Sequence, residues 1–151
     1  MTGRAKLAND AWEALLTVHA EFMKGFAARD IWGEVSLKEY DVLYALAKAA
    51  GPVRLGELHR RVLLSQPALS RLVDRLVARG LVERCDDPGD GRAVRISLTA
   101  SGRERQKEVG REHARDVAAA MTAHVGDADL EELQRICDRL LGRSQQEEKV
   151  S

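Results

Sequence analysis

Between Leu55 and Leu98 the chain changes its hydrophobic period once, and that change limits what it can fold into. Leu55, Leu58 and Val62 form a short helical stripe that ends at Leu63-Leu64. Ser65 follows as an N-cap, with Pro67 in the first turn, where a missing N–H costs nothing. Leu69, Leu72, Val73, Leu76 and Val77 continue at three- and four-residue spacing, and Gly80 is a natural stop. The period then drops to two. Leu81-Val82-Glu83-Arg84 and Ala93 through Leu98 alternate as strands, separated by the turn-rich CDDPGDGR. Two helices joined by a tight turn and followed by a polar-tipped hairpin describe a winged helix-turn-helix.

The flanks are helical. Leu7 to Ala28 carries Trp12, Leu15, Leu16, His19, Phe22, Met23 and Phe26 at helical spacing, which predicts one buried face. Arg29 to Val35 breaks the pattern. Ser36 opens the next helix, with Glu39 at capping-box spacing and Tyr40, Leu43, Leu46 and Ala47 on its inner side; Gly51-Pro52 ends it. Beyond the hairpin, Thr99 caps a long helix to about His124. Gly126-Asp127 supplies a stop and a new N-cap, and Leu130, Leu133, Ile136, Cys137, Leu140 and Leu141 stripe a last helix. The tail QQEEKVS reads as solvated. The expected fold is therefore mainly α with a small β-hairpin. Residues 1–35 and 100–151 form N- and C-terminal dimerisation helices around a DNA-binding unit at 36–99, all in one protomer.

Composition narrows the class. The chain has 151 residues, 44% of them hydrophobic, so it can bury a core, and its six aromatics mean that core is mostly Leu, Val and Ala. No apolar run reaches membrane length and no signal-peptide core opens the chain, so a reducing cytoplasm and no membrane partner are expected. Net charge is zero, but residues 51–105 hold eleven Arg, no Lys and seven acids, a local +4 that leaves −4 elsewhere. Arginine's planar fork suits phosphates and base edges, though such usage also suits a GC-rich genome.

With the apolar stripe of the second short helix turned inward, the candidate DNA-facing set is Ser65, Gln66, Pro67, Ala68, Ser70, Arg71 and Arg75, joined by Arg92 and Arg95 of the hairpin. Gln and Arg read base edges, Ser bonds phosphate, and small residues allow close approach. Enzyme chemistry is not expected. The four histidines fall on separate helices without metal-ligand spacing, no nucleophile elbow or phosphate-binding glycine motif occurs, and no metal or cofactor is implied. Cys85 and Cys137 lack CxxC spacing, although Arg84 beside Cys85 is the kind of neighbour that lowers a thiol pKa.

The stretch LSQPALSRLVDRLVARGLVERCDDPGDGRAVRISLTASGRE resembles the core of the MarR family of bacterial transcriptional regulators. The likeness extends to SLKEYDVLYALA and GPVRLGELHRRVLL, covering about Ser36 to Arg105. It implies a cytoplasmic homodimer on palindromic double-stranded operator DNA, usually a repressor, often released by a small ligand. Trp12, Asp41, Arg71 and Arg84 further resemble four positions of a urate-responsive subfamily, which implies an effector site for a urate-like purine. Asp41, Arg71 and Arg84 equally fit structural or phosphate-contacting roles, and an aromatic carboxylate or phenol is the competing effector. Peroxide-sensing relatives carry a cysteine near the first helix; this chain has none there. A winged-helix dimer used only for protein contacts is the alternative from another class.

Overall fold

The computed structural model describes residues 2–143, so the QQEEKVS tail lies outside the described residues, as do the side chains of Asp90 and Arg92. The chain divides into two compact units, Met1–Ala114 and Arg115–Ser151.

In the larger unit the order is α1 (Gly3–Ala27), α2 (Leu37–Lys48), β1 (Val53–Arg54), α3 (Leu55–His59), α4 (Gln66–Ala78), β2 (Val82–Asp87) and β3 (Asp90–Leu98), then α5, which starts at Ala100 and runs to Thr122. Local chemistry accounts for most boundaries. Thr2 caps α1 by accepting from the Ala5 N–H at 3.3 Å. The Ser36 capping box forms: Ser36 Oγ accepts from Glu39 N–H at 3.1 Å and Glu39 Oε2 from Ser36 N–H at 3.4 Å. Ser65 Oγ caps α4 through the Ala68 N–H at 3.3 Å, and Gly80 leaves the helix at φ +71°.

The core is built from α2, α4 and the sheet. Leu43, Leu58, Leu69 and Leu76 are fully buried, each contributing about 1.5–3 kcal/mol of apolar transfer. As the composition requires, this core is largely Leu and Val, with Trp32, Tyr40, Val42, Val53, Val82 and Val109 closing it. Trp32 and Val35 are buried although the segment Arg29–Val35 carries no period; Trp32 Nε1 donates to the Phe26 carbonyl at 2.9 Å. His113 of α5 stacks near Phe26, Trp32 and Tyr40, with ring centroids 5.1–5.3 Å apart.

Three sequence expectations need correction. The hairpin is longer than its alternating residues indicate: β2 runs to Asp87 and β3 starts at Asp90, leaving Pro88-Gly89 as the turn, with a register shift at Asp86/Asp87. Those strand ends form because Asp87 is anchored by neighbours distant in sequence. A third strand, β1, pairs antiparallel with β3 (Val53↔Ile96, Arg54↔Arg95), giving the order β1-β3-β2. Two residues are too few to show a period. Finally, the stripe of α1 is not buried in the single chain: Trp12, Leu15 and Leu16 are 57%, 43% and 45% exposed, and only Met23 and Phe26 pack against the core. Among the described residues that stripe stays open to solvent.

In the smaller unit α6 spans Asp127–Leu140. Gly126, not Asp127, is its N-cap, and the Asp129 carboxylate accepts the Gly126 N–H at 3.1 Å. Leu133, Ile136 and Leu140 lie exposed along it. Among the described residues no helix is long and apolar enough to cross a membrane.

Candidate nucleic-acid interface

The side of α4 opposite Leu69, Leu72, Val73 and Leu76 is polar and open. Ser65, Gln66, Pro67, Arg71 and Arg75 are exposed, while Ala68 and Ser70 are half-buried. Because Ser65 Oγ accepts from the helix, its O–H stays available as a donor at the helix N-terminus, where the backbone also favours an anion. The sequence-selected residues of α4 therefore share one end and one flank of one helix.

The arginines of this region divide by partner. Arg79 of the α4 C-cap pairs with Glu39 of α2 and also donates to the Glu34 carbonyl at 2.6 Å. Arg75 Nε lies 3.9 Å from the same Glu39, whose side chain is nearly buried. Arg84 of β2 pairs with Asp74 of α4. Arg71 forms no ion pair among the described residues, and the residue is exposed.

The turn end of the wing is a second charged node. Asp87 is buried, accepting from Arg54 Nε at 2.7 Å and from the Gly89 N–H at 2.9 Å, and Arg95 Nε lies 3.2 Å away. The Gly89 hydrogen bond and the two guanidiniums hold its carboxyl down to about 2, against some loss from burial. One buried acid beside the Pro88-Gly89 turn thus holds two partly exposed arginines against the wing. Arg92 lies in β3 by its backbone; its side chain is outside the described ones. Sequence reading missed Asp87, Arg54, Arg79 and Glu39 as partners, because each pair spans 33 to 45 residues or joins elements with no shared period.

A cavity of about 700 Å³ lies between α1, α2 and the α3–α4 turn. Met23, Ala45 and Val62 supply apolar wall, and His19, Lys38, Asp41, Lys48 and Arg61 supply charge. The Lys48 ammonium stands 5.5 Å from the centroid of the Tyr44 ring, which also lines the space. Burial pushes the Asp41 carboxyl above its ordinary range, and the charge of His19 partly opposes this. Asp41 is the one member of the set Trp12, Asp41, Arg71 and Arg84 that lines this cavity. Trp12 is exposed on α1, and Arg84 is engaged by Asp74. Lys38, Lys48 and Arg61 carried no sequence signal, since the cavity exists only once α1, α2 and the turn come together.

A model of the MarR family matches residues 34–93, the stretch from the loop before α2 into the wing. An HTH-type transcriptional regulator of Mycobacterium tuberculosis is 31% identical over 107 residues, covering 71% of each chain. The chain belongs to the MarR family of transcriptional regulators. Solved MarR-family structures share its fold. A mutant MarR from Escherichia coli complexed with operator DNA superposes with a TM-score of 0.74 at 22% identity, over 85% of this chain and 91% of that one. BpsR of Bordetella bronchiseptica, whose DNA binding is regulated by 6-hydroxynicotinic acid, gives 0.74 at 20% identity, over 87% and 98%. The winged helix-turn-helix expected from the period change is the fold of this MarR-family chain.

Proposed function

We propose that this MarR-family regulator is a cytoplasmic repressor that binds a palindromic operator as a homodimer and is released by a small planar anion. The observation that carries the DNA reading is the open face of α4, with Ser65, Gln66 and Arg71 exposed and followed in the chain by a wing in which Asp87 holds Arg54 and Arg95. In this reading Gln66 and Arg71 meet base edges, and Ser65 and Ser70 meet phosphate. Pro67 and Ala68 allow close approach, Arg75 and Arg95 supply positive potential, and Arg92 enters the minor groove from the wing. The exposed stripes of α1 and α6 are the dimer surface. Two α4 helices about 34–36 Å apart then read successive major grooves on one side of the duplex.

The effector belongs in the cavity between α1, α2 and the α3–α4 turn. A volume of this size suits a small ligand, and its mix of apolar wall with Lys38, Lys48 and Arg61 suits an aromatic carboxylate or a urate-like purine anion. Asp41 accepts an N–H or O–H from the same ligand. BpsR's response to 6-hydroxynicotinic acid supports that class. Trp12, Arg71 and Arg84 complete the urate-type reading through a partner or a liganded state.

The test is selection of duplexes from a random pool by the full-length protein, followed by titration with 6-hydroxynicotinate, salicylate and urate. A two-fold symmetric selected sequence, binding that weakens steeply with salt, and release by at least one anion are expected. Failure to enrich any duplex refutes the DNA reading and favours a protein-contact role. Enrichment without release by any of the three refutes the effector reading alone.

A further inference from the structure

The cavity and the DNA-facing helix share α2; beside the apolar core that joins α2 to α4, the ion pairs between the two helices meet at one residue, Glu39. Glu39 follows cavity-lining Lys38 and precedes cavity-lining Asp41, yet its own carboxylate turns the other way, to Arg79 and Arg75 of α4. It is buried, and it also accepts the Ser36 N–H in the capping box, so it is held at both ends. Arg79 is fixed a second time by the Glu34 carbonyl at 2.6 Å. The C-terminal end of α4 is thereby pinned to the start of α2 by directional bonds. The N-terminal end has a different neighbour. Ser65 caps α4 two residues after Leu63, which with Arg61 and Val62 forms the cavity wall contributed by the α3–α4 turn.

We propose that Glu39 is a positioning residue: the pivot about which α4 turns when the cavity between α2 and the Arg61–Leu63 wall is filled. A body that enters the cavity pushes the turn away from α2. The far end of α4 cannot follow, because Arg79 is tied to Glu39 on α2 itself, so the displacement becomes a rotation of α4. The end that swings carries Ser65, Gln66 and Arg71. Apolar contacts of Leu69, Leu72, Val73 and Leu76 allow this, since packing is non-directional whereas the ion pair is not. Without the pin, α4 moves with its turn as a body and the swing is lost. This assignment rests on the reading of the cavity as the effector site.

A built-in occupant tests it without knowledge of the effector. Ala20 of α1 lines the cavity and is otherwise exposed, so Ala20→Trp places a ring there. Affinity for the selected duplex is measured for wild type, A20W, Glu39→Gln and the double variant; Gln keeps the capping-box hydrogen bond and removes the charge. Arg79→Gln and Arg79→Lys, each with and without A20W, repeat the cycle from the α4 side. We expect A20W to weaken binding about tenfold in the wild-type and R79K backgrounds, within the usual range of coupling between sites, and less than twofold with E39Q or R79Q. An equal loss in every background overturns the pivot and leaves the cavity reading standing. No loss in the wild type overturns the cavity reading and the pivot with it. Light scattering checks that A20W keeps the wild-type assembly; if it does not, Ala45→Leu fills the same space from α2. Circular dichroism checks folding, and if neither E39Q nor R79Q folds, the pair is a stability element and the pivot is withdrawn.

Discussion

Gly102, in the first turn of α5, is the position at which local and tertiary physics give opposite signs. In an exposed helix, Gly→Ala stabilises by roughly 1 kcal/mol, because alanine loses less backbone entropy. Here a Cβ on Gly102 would stand 1.8 Å from the Leu81 carbonyl oxygen and 2.8 Å from its carbon, where ordinary contact begins near 3.4 Å. The obstacle is backbone, so α5 and the start of β2 must separate by roughly 1.5 Å to relieve it. That movement breaks what joins them: Thr99 N–H to the Leu81 carbonyl at 3.2 Å and Thr99 O–H to the Gly80 carbonyl at 2.6 Å. It also disturbs the Thr99 cap, which accepts the Gly102 N–H at 3.0 Å, and the packing of Leu81 and Leu98. About 1 kcal/mol for lost hydrogen bonding, about 1 for the cap and about 1–3 for overpacking, less the roughly 1 gained in helix propensity, give a net destabilisation of about 2–4 kcal/mol. For a chain of this length that lowers Tm by about 5–15 °C. Thermal unfolding by circular dichroism reads it, with Gly56→Ala as the control. Gly56 lies in α3 with open space around its Cβ, so its substitution should leave Tm unchanged or slightly raised. A Gly102→Ala melt within about 3 °C of wild type would refute the close-approach argument.

Three further outcomes are expected. Asp87→Asn should loosen the wing and weaken duplex binding while leaving the α4 helix intact. Because the Asp87 carboxyl sits at about 2 when folded, below its ordinary value near 3.9, its contribution is full above pH 4 and is lost as pH falls toward 2. The Gly89 amide resonance should report that acid transition in the wild type and lose it in the variant, and an unmoved resonance contradicts the assignment. Arg71→Ala should flatten discrimination between selected and scrambled duplexes by about 1–3 kcal/mol, whereas Arg79→Ala should lower Tm as well; equal discrimination by the R71A protein in a competition titration removes Arg71 from the reading face. Deleting the residues after Val125 removes Leu133, Ile136 and Leu140, and light scattering should then show monomers or aggregates, a stable dimer being the contrary result.

The elements legible in the sequence are those whose causes are local. The Ser36–Glu39 box, the Ser65 cap, the Gly80 stop and the inward stripe of α4 each depend on residues within four positions of one another, so spacing alone announces them. The switch from helical to alternating period similarly carried the order helix, turn, helix, hairpin, and with it the expectation of a DNA-facing α4. Motif resemblance reached further, to the MarR family, because the reading helix, strand and wing are contiguous in the chain.

Residues whose role depends on a distant partner stayed silent. Nothing near Asp87 in CDDPGDGR marks it as a buried acceptor, since Arg54 lies 33 residues away and arrives only when β1 joins β3. Glu39 announced its cap but not its pairing with Arg79, 40 residues on. The α1 stripe shows the converse: its spacing indicated that a face is to be covered, but periodicity does not say by what, and the single chain leaves Trp12, Leu15 and Leu16 open. Sequence by itself determined the kind and order of the helices and of the hairpin, though not the two-residue β1, because capping and amphipathic spacing act over one or two turns. Only the tertiary structure decided which charges are engaged, where the cavity lies and which faces stay uncovered. Those properties belong to pairs of surfaces, and the chain alone does not state which surfaces will meet.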